Sequence, residues 1–254
     1  MPIALTREVC PLLENCELTH LSREPIDIHR AKEQHKRYEE TLAKLGFTIR
    51  RLKETPHLPD GVFVEDTAVV FPEFAIITRP GAESRLGETE SMAEVLKEYR
   101  ELYYIREPGK LDGGDVLKSG ETVYIGLSAR SNLEGIQQFR DIVAPFGYNV
   151  SAIPVTGCLH LKSGITVLET DRLLINPEWV HPEYFADFSF EYIHPAEPYG
   201  ANVIRYQHSV ICTAAHPETQ NLLQKSGYDV IVIDQSELAK AEAGLTCCSV
   251  LIEG

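Results

Sequence analysis

A pair of short apolar strands recurs along this chain, and the recurrence restricts the fold more than any other feature of the sequence. Each pair consists of two apolar runs separated by a turn, which is the pattern of a β-hairpin. The pairs begin at residues 68, 115, 165 and 202, so their spacings are 47, 50 and 37 residues. Repeats of this length, with strands and a helix in each unit, are typical of solenoids and propellers.

Apolar residues at helical spacing accompany the hairpins. The first such stretch runs from Ile28 to Leu45 and is ended by Gly46, after which residues 47–49 are predicted to form a strand. The apolar positions of the later predicted helices are Met92, Val95, Leu96, Leu133, Ile136, Phe139, Ile142, Leu222 and Leu223.

A fifth unit is predicted from the two ends of the sequence. A strand over Ser249–Ile252 begins 47 residues after the fourth unit, and its hairpin partner can only be Ile3-Ala4-Leu5. Pairing of these strands would close five units into a ring. A doubly wound sheet is the alternative, but its strands would come singly rather than in hairpins. The sequence therefore predicts an α/β propeller that forms one domain over residues 1–254.

Composition limits the partners. The 254 residues carry a net charge of −14, which argues against nucleic acid and anionic membranes and suits a cationic small molecule. Six cysteines show no metal-binding or disulfide spacing, so a reducing, cytoplasmic setting is expected. No apolar run approaches the roughly 18 residues of a membrane span.

Residues with catalytic chemistry stand just before the predicted unit starts. They are Glu65-Asp66, Asp112, His160 and Cys247, and a ring would bring them to one end of its channel. A cysteine, a histidine and carboxylates suffice for covalent catalysis. Taken singly, His160 fits a core histidine better than a catalytic one, and Asp112-Gly113-Gly114-Asp115 fits a plain turn as well as a functional segment. A zinc site is also conceivable, although no pair of ligands has structural-zinc spacing.

Six segments together resemble the dimethylarginine dimethylaminohydrolase family, a branch of the guanidine-modifying enzymes. The resemblance covers the whole chain in order and at compatible spacing. The segments are Phe63-Val64-Glu65-Asp66, Thr78-Arg79-Pro80-Gly81-Ala82 with Ser84-Arg85, Leu111-Asp112-Gly113-Gly114-Asp115, Gly126-Leu127-Ser128-Ala129-Arg130-Ser131-Asn132, Leu159-His160-Leu161-Lys162 and Leu245-Thr246-Cys247-Cys248-Ser249.

The resemblance implies a five-bladed α/β propeller that hydrolyses Nω-methylated arginine to citrulline and a methylamine, without metal or organic cofactor. Cys247 would be the nucleophile, His160 the general acid and base, and Asp112 the acidic partner. A homodimer is compatible with this family. The substrate-binding residues that the resemblance implies are Leu18, Asp60, Glu65, Asp66, Arg85, Arg130 and Ala241.

The same resemblance divides the substrate among these residues. Asp60 and Asp66 would hold the guanidinium, with Glu65 behind them, while Arg85 and Arg130 would bind the carboxylate. The backbone carbonyl of Leu18, on a mobile lid, would meet the α-amine. Cys248 is expected to be a structural or redox-sensitive neighbour, because successive side chains of a strand point in opposite directions.

One segment departs from the family pattern of Lys, Val or Ile, Asp, Gly. Here it reads Lys240-Ala241-Glu242-Ala243, next to the expected position of the substrate's α-amine. Two other substrates therefore stay open with the same machinery, namely arginine in a deiminase reaction and citrulline in a ureidohydrolase reaction. A binder of cationic amino acids that has lost the reaction is a further alternative, which the intact Cys247, His160 and Asp112 disfavour.

Overall fold

Fifteen short strands form five three-stranded sheets in the computed structural model, which describes residues 1–53 and 55–253. The strands are β1 (Ile3–Thr6), β2 (Thr48–Arg51), β3 (Ala68–Val70), β4 (Phe74–Ile77), β5 (Glu101–Tyr104), β6 (Val116–Ser119), β7 (Thr122–Leu127), β8 (Asn149–Pro154), β9 (Ile165–Glu169), β10 (Arg172–Ile175), β11 (Ser189–Tyr192), β12 (Ile204–Tyr206), β13 (Ser209–Thr213), β14 (Asp229–Ile233) and β15 (Val250–Ile252).

All five sheets have the same topology. The first two strands pair antiparallel, and the third pairs parallel to the second, in the sheets β3-β4-β5, β6-β7-β8, β9-β10-β11, β12-β13-β14 and β15-β1-β2. The first strands of all five blades line a common cavity of about 280 Å³. The fold is the predicted five-bladed α/β propeller.

Strands from the two ends of the chain close the ring. β15 pairs antiparallel with β1, so that Ile252 lies opposite Ile3 and Val250 lies opposite Leu5. β2 then pairs parallel with β1 on its other side. The closure predicted from the spacing of the repeats is confirmed.

Helices connect the second and third strands of four blades. Local residues define both ends of the first helix. Asp27 accepts a hydrogen bond from the Arg30 N–H at its beginning, and Gly46 takes a left-handed φ of 98° just after its end. In the blade β9-β10-β11 only a single 3₁₀ turn, Pro182–Tyr184, lies between β10 and β11, so the prediction of a helix in every unit is wrong there. The α-helical segments are α1 (Ile28–Lys44), α2 (Thr89–Leu96), α3 (Leu133–Val143), α4 (Leu161–Gly164), α5 (Pro217–Lys225) and α6 (Ser236–Ala239).

The hydrophobic core consists of five wedges, each between two neighbouring blades. One wedge, for example, packs Leu5 of β1 and Val250 of β15 against Ala75 of β4 and Met92 of α2. The wedge that closes the ring joins the blade β12-β13-β14 to the blade β15-β1-β2 through Ile211 and Leu42. Because each blade is covered on both faces by its neighbours, the ring must close before the terminal blade is fully buried.

Some predicted boundaries differ from the structure. Asp115 and Asn202, placed in strands from the sequence, lie in turns before β6 and β12. The four outer strands β5, β8, β11 and β14 were not predicted, because most of their side chains are half-buried or exposed and give no sharp apolar pattern. In residues 1–53 and 55–253, no helix is long and apolar enough to cross a bilayer.

Candidate active site

Short helical turns precede the first strands of four blades and carry the chemistry. They are Val64–Thr67 before β3, Gly113–Asp115 before β6, α4 before β9 and Thr246–Cys248 before β15. Because the first strands surround one channel, the turns meet at the same end of it. Residues distant in sequence thereby come into contact.

The turns enclose a small cavity of about 20 Å³, which has room for about one water molecule. Cys247 and His160 both line it. The remaining lining residues are Glu17, Asp60, Phe63, Asp66, Arg85, Arg130, Leu159, Ala241, Glu242 and Ala243. A substrate as large as an amino acid can occupy this space only after part of the lining moves.

Two carboxylates hold the His160 imidazole. Its Nε2 lies 3.0 Å from Asp112 Oδ2, and its Nδ1 lies 3.9 Å from Asp66 Oδ1. Asp112 Oδ1 in turn accepts a hydrogen bond of 2.7 Å from the Gly81 N–H, and Asp66 accepts one of 3.0 Å from the Gly114 N–H. The imidazole is thus fixed in orientation from both sides.

The same carboxylates set the charge of His160. Burial alone would lower the pKa of the imidazole, but the charge of Asp66 and the hydrogen bond to Asp112 outweigh it and raise the pKa to about 9. His160 is therefore an imidazolium at neutral pH. Burial pushes the pKa of Asp66 upward, but His160 and Arg85 hold it below its ordinary range, so Asp66 stays ionised.

Gly114 makes the approach of these groups feasible. A Cβ atom at this position would lie 2.7 Å from His160 Nδ1 and 2.8 Å from Asp66 Oδ1. At Gly113, a Cβ would lie 2.0 Å from the Glu65 carbonyl oxygen. The paired glycines, which the sequence alone could assign to an ordinary turn, are required because the neighbouring turns touch the backbone here.

Cys247 is partly exposed to the cavity. Its Sγ accepts a hydrogen bond of 3.3 Å from the Gly244 N–H. Burial raises the pKa of this thiol well above its ordinary value, and the charges of Glu65 and Asp66 add to the rise. With no ligand bound, Cys247 is a neutral thiol beside an imidazolium.

Cys248 lies away from the cavity, fully buried, and receives a weak hydrogen bond from Gln235 Nε2 at 3.5 Å. Both cysteines belong to the turn Thr246–Cys248 rather than to β15. Strand alternation, the reason given from the sequence, therefore does not apply to them. The turn separates the two side chains instead.

Arg85 and Arg130 differ in how many of their guanidinium N–H donors already have hydrogen-bond partners. Arg85 donates to Asp66 at 2.7 Å, to Glu88 at 2.8 Å and to the Phe63 carbonyl at 2.9 Å. Arg130 has a looser environment: its guanidinium lies 3.7 Å from Asp112 Oδ2 and donates to Thr19 Oγ1 at 3.2 Å. Of the two, Arg130 has more donors available for an anionic group.

The other expected substrate-binding residues fall in three places. Asp60 and Ala241 line the cavity, and burial raises the pKa of Asp60 to about 6. Glu65 lies behind Cys247, where it accepts hydrogen bonds from Lys162 Nζ at 2.5 Å and from Thr246 Oγ1 at 2.7 Å. Leu18 does not line the cavity in this conformation, and its side chain packs on the adjoining core wedge.

Two supporting residues were not singled out from the sequence. Asp115, fully buried, accepts hydrogen bonds from Ser128 Oγ and Ser131 Oγ at 2.6 Å and from the Leu161 N–H at 2.9 Å, and so fixes the start of α4 beside His160. Asn202 exchanges hydrogen bonds of 3.2 Å with Thr246 in the cysteine turn. Asn202 stands just before β12, but the predicted start of this unit was residue 202 itself, so the rule of position that located the others did not reach it.

A metal would have one set of ligands to use among the described residues. Asp66, Asp112 and His160 present ligand atoms within 4.8 Å of one another. Asp66 is already hydrogen-bonded to Arg85, and Asp112 to the imidazole, which is positively charged at neutral pH. This arrangement favours proton transfer over metal binding, because a metal needs the neutral imidazole.

Comparison with known families agrees with this site. The family model described as "N,N dimethylarginine dimethylhydrolase, eukaryotic" matches residues 18–171. The chain is 39% identical to an N(G),N(G)-dimethylarginine dimethylaminohydrolase of Streptomyces coelicolor, over 97% of this chain and 95% of the relative. It is 38% identical to the enzyme of that name from Pseudomonas aeruginosa, over 94% of each chain.

Solved structures show the same fold. The Pseudomonas aeruginosa enzyme, as a cysteine-to-serine variant complexed with citrulline, superposes with a TM-score of 0.94 at 36% identity over 98% of both chains. The N-terminal domain of ArgZ, an arginine dihydrolase from cyanobacteria, superposes with a TM-score of 0.85 at 17% identity over 99% of this chain and 98% of that domain, and this likeness concerns the fold alone. By sequence identity over nearly its full length, the chain belongs to the dimethylarginine dimethylaminohydrolase family.

Proposed function

We propose that this protein is a dimethylargininase-type hydrolase. It converts asymmetric dimethylarginine or monomethylarginine to citrulline and dimethylamine or methylamine. The observation that carries the proposal is the arrangement of one thiol, one imidazolium and the carboxylates Asp60 and Asp66 around a single closed cavity. The names of the Streptomyces coelicolor and Pseudomonas aeruginosa relatives state the same activity.

The substrate's guanidinium would lie among Asp60, Asp66 and Cys247, with its central carbon facing the sulfur. A guanidinium is a poor electrophile because its charge is delocalised, so the carboxylates must hold it in near-attack geometry. Arg130 would bind the α-carboxylate in a charge-assisted contact, together with Arg85 if Arg85 frees a donor. The carbonyl of Leu18 and the backbone at Ala241 would accept from the α-ammonium.

The cationic substrate also activates the nucleophile. The pKa of Cys247 is raised by burial and by the negative charges of Glu65 and Asp66. A guanidinium placed against these carboxylates neutralises them and favours the thiolate. Deprotonation would thereby be coupled to binding, with the thiol proton released to solvent because His160 is already protonated, so the resting enzyme keeps an unreactive thiol.

In the first half-reaction, the Cys247 sulfur bonds to the guanidinium carbon and forms a tetrahedral adduct. The bond from that carbon to the methylated nitrogen then breaks, and the imidazolium of His160 gives its proton to the departing amine. An S-alkylthiouronium remains on Cys247, and His160 is left neutral.

In the second half-reaction, neutral His160 takes a proton from water, and the resulting hydroxide adds to the thiouronium carbon. The carbon–sulfur bond then breaks and the added hydroxyl gives its proton to the departing sulfur, which releases citrulline and regenerates the neutral Cys247 thiol beside a protonated His160. Asp112 stabilises the imidazolium each time it forms. The net reaction consumes one water and gives one citrulline and one amine.

A panel of substrates with product identification tests this function. We expect citrulline and dimethylamine from asymmetric dimethylarginine, and citrulline and methylamine from monomethylarginine. Ammonia and citrulline from arginine, or ornithine from citrulline, would indicate a deiminase or a ureidohydrolase. Turnover of one of these in the absence of methylarginine turnover would refute the proposal.

The proposal also covers the domain organisation, the partners, the cellular setting and the oligomeric state. The five blades over residues 1–254 would act as one catalytic domain with a small cationic amino acid as its partner, without nucleic acid or membrane. The six free thiols suit a cytoplasmic setting. A homodimer is also proposed, and light scattering after size-exclusion chromatography measures it directly.

A further inference from the structure

Glu242 has a backbone conformation that non-glycine residues rarely adopt. Its φ is 58°, in the left-handed region, and it lies three residues after the end of α6 at Ala239, beside Ala241 at the cavity. Such a conformation is unfavourable for a residue with a side chain and persists only where the surroundings enforce it. Its carboxylate is nevertheless nearly buried, with 7% of the residue exposed.

The carboxylate of Glu242 accepts hydrogen bonds from three consecutive backbone N–H groups. Oε2 accepts from Thr19 at 2.9 Å, and Oε1 accepts from both His20 and Leu21. These donors belong to the lid, which we define as residues 17–21, and the side chains of Thr19, His20 and Leu21 are exposed. The left-handed backbone at Glu242 and the three contacts are independent observations of the same arrangement.

The lid has two other attachments to the cavity, and both use groups that the substrate would need. The Glu17 N–H donates to the Asp60 carboxylate at 3.2 Å, and Arg130 donates to Thr19 Oγ1 at 3.2 Å. Substrate binding would draw Asp60 to the guanidinium and Arg130 to the α-carboxylate. Glu242 is then the attachment that can hold the lid both before and after the substrate binds.

We infer that Glu242 is a positioning residue that latches the lid over the cavity through three backbone N–H groups. The inference rests on the proposed function for its kinetic consequences, but the latch itself does not depend on which substrate is used. Three N–H groups converging on one carboxylate form an anion-binding arrangement, and hydrogen bonds to a charged acceptor are stronger than neutral ones. A neutral amide at the same position has one acceptor oxygen and would leave part of the contacts unmade.

Amide hydrogen exchange tests the latch directly. In the wild-type protein, we expect the amides of Thr19, His20 and Leu21 to exchange at least about tenfold more slowly than the amide of Ser22, the next residue of the same exposed loop. In Glu242→Gln, this protection should fall by about tenfold or more. Equal exchange at all four positions in the wild-type protein would overturn the inference, even if the variant did not fold.

Glu237→Gln is a matched control. Glu237 is a similarly buried glutamate five residues earlier, which accepts a hydrogen bond of 3.0 Å from the Asp27 N–H beyond the lid. It should leave the exchange at residues 19–21 unchanged. A loss of lid protection in both variants would mean that the effect is a general loosening of the N-terminal loop, and the latch would be rejected.

Steady-state kinetics distinguish positioning from a structural role. In Glu242→Gln we expect KM for the turned-over substrate to rise by about tenfold with a smaller change in kcat, since the lid stabilises the closed complex and Cys247 and His160 are untouched. Glu242→Asp, which keeps the charge on a shorter side chain, should recover part of KM and part of the protection. An unchanged KM together with normal lid exchange would refute the latch, whereas absence of turnover in the wild-type protein would refute only the proposed function.

Discussion

The two sides of the cavity are held in different ways. On the side of the catalytic turns, His160, Asp66 and Asp112 are at most 3% exposed, and each is tied to at least one other turn by its side chain. On the lid side, Glu17, Thr19, His20 and Leu21 are exposed, and their backbone is tied mainly to Glu242 and Asp60. The turns are part of the propeller, whereas the lid is a loop attached to it.

The difference separates two tasks. The cavity holds about one water molecule, so something must move before a substrate enters. The turns cannot move without opening the wedges between the blades, whereas the lid can move by exchanging a few hydrogen bonds. We expect changes on the turn side to affect the chemical step, and changes on the lid side to affect substrate binding.

The largest effect should come from Cys247, the proposed nucleophile. Cys247→Ser should lower kcat by at least about 10⁴-fold, because a serine hydroxyl is a far weaker nucleophile than a thiolate. Substrate binding, measured by isothermal titration, should be retained. Cys248→Ala, in a fully buried position away from the cavity, should keep most of the activity. A Cys248 variant as inactive as the Cys247 variant would assign the chemistry to the wrong thiol.

The next largest effect is expected at Gly114. The added methyl group of Gly114→Ala would lie 2.7 Å from His160 Nδ1, so the imidazole must shift away from it. A displacement of about 1 Å at a catalytic group costs on the order of 10² in kcat, and KM should change much less. Gly87→Ala is the control, because its Cβ would meet only Leu58 at an ordinary 3.6 Å. A fully active Gly114→Ala would show that the turn side is more tolerant than its packing suggests.

Asp112→Asn should act through the pKa of His160. The pKa of about 9 depends on Asp66 and on the hydrogen bond to Asp112, so it should fall when this carboxylate becomes an amide. The alkaline limb of kcat/KM, where His160 loses its proton, should then move to lower pH. Activity at pH 8 should drop by about tenfold or more.

The same substitution gives a stability signature with a defined sign. Because the folded-state pKa of His160 is raised above its unfolded value of about 6.5, its contribution is fully present below pH 6.5 and is lost as pH rises through about 9. The difference in unfolding free energy between wild type and Asp112→Asn should therefore shrink across that window. Urea titrations at pH 6 and pH 9.5 measure it, and a constant difference would contradict the role given to Asp112.

The smallest effect should come from an exposed attachment of the lid. Ser84 Oγ donates to Glu17 Oε1 at 2.5 Å on the surface, where water competes for both groups. Ser84→Ala should change KM by less than about threefold, well below Glu242→Gln. An effect equal to that of Glu242→Gln would show that the latch is distributed along the lid rather than centred on one buried carboxylate.

Much of the fold could be predicted because propeller blades leave a regular signature. Hairpins such as the pair around Ala68 and Ile76 are short apolar runs that recur along the chain, and each repeat places its first strand at the channel. The outer strands escaped prediction because partly exposed strands such as Glu101–Tyr104 lack a sharp apolar pattern. Asp115 was assigned to a strand because its apolar successors Val116 and Leu117 mask the turn in which it lies.

The site was predictable to the extent that it follows the repeat. Cys247, His160 and Asp112 all stand within five residues before the first strand of a blade, so the spacing of the repeats predicts that they lie at the same end of the channel. The contact of Glu242 with residues 19–21 follows from no periodicity, since it joins a left-handed residue to a loop from the far end of the chain. Contacts of that kind depend on backbone geometry that the residue types do not encode locally.

The closure of the ring has a consequence for the order of folding. β15 follows Cys247 directly and pairs with β1 from the opposite end of the chain, a contact of very high sequence separation. Loop-closure entropy opposes such pairings until the intervening blades have condensed. The thiol should therefore reach the imidazolium in a late step, so that in refolding the recovery of helical circular dichroism precedes the recovery of catalysis.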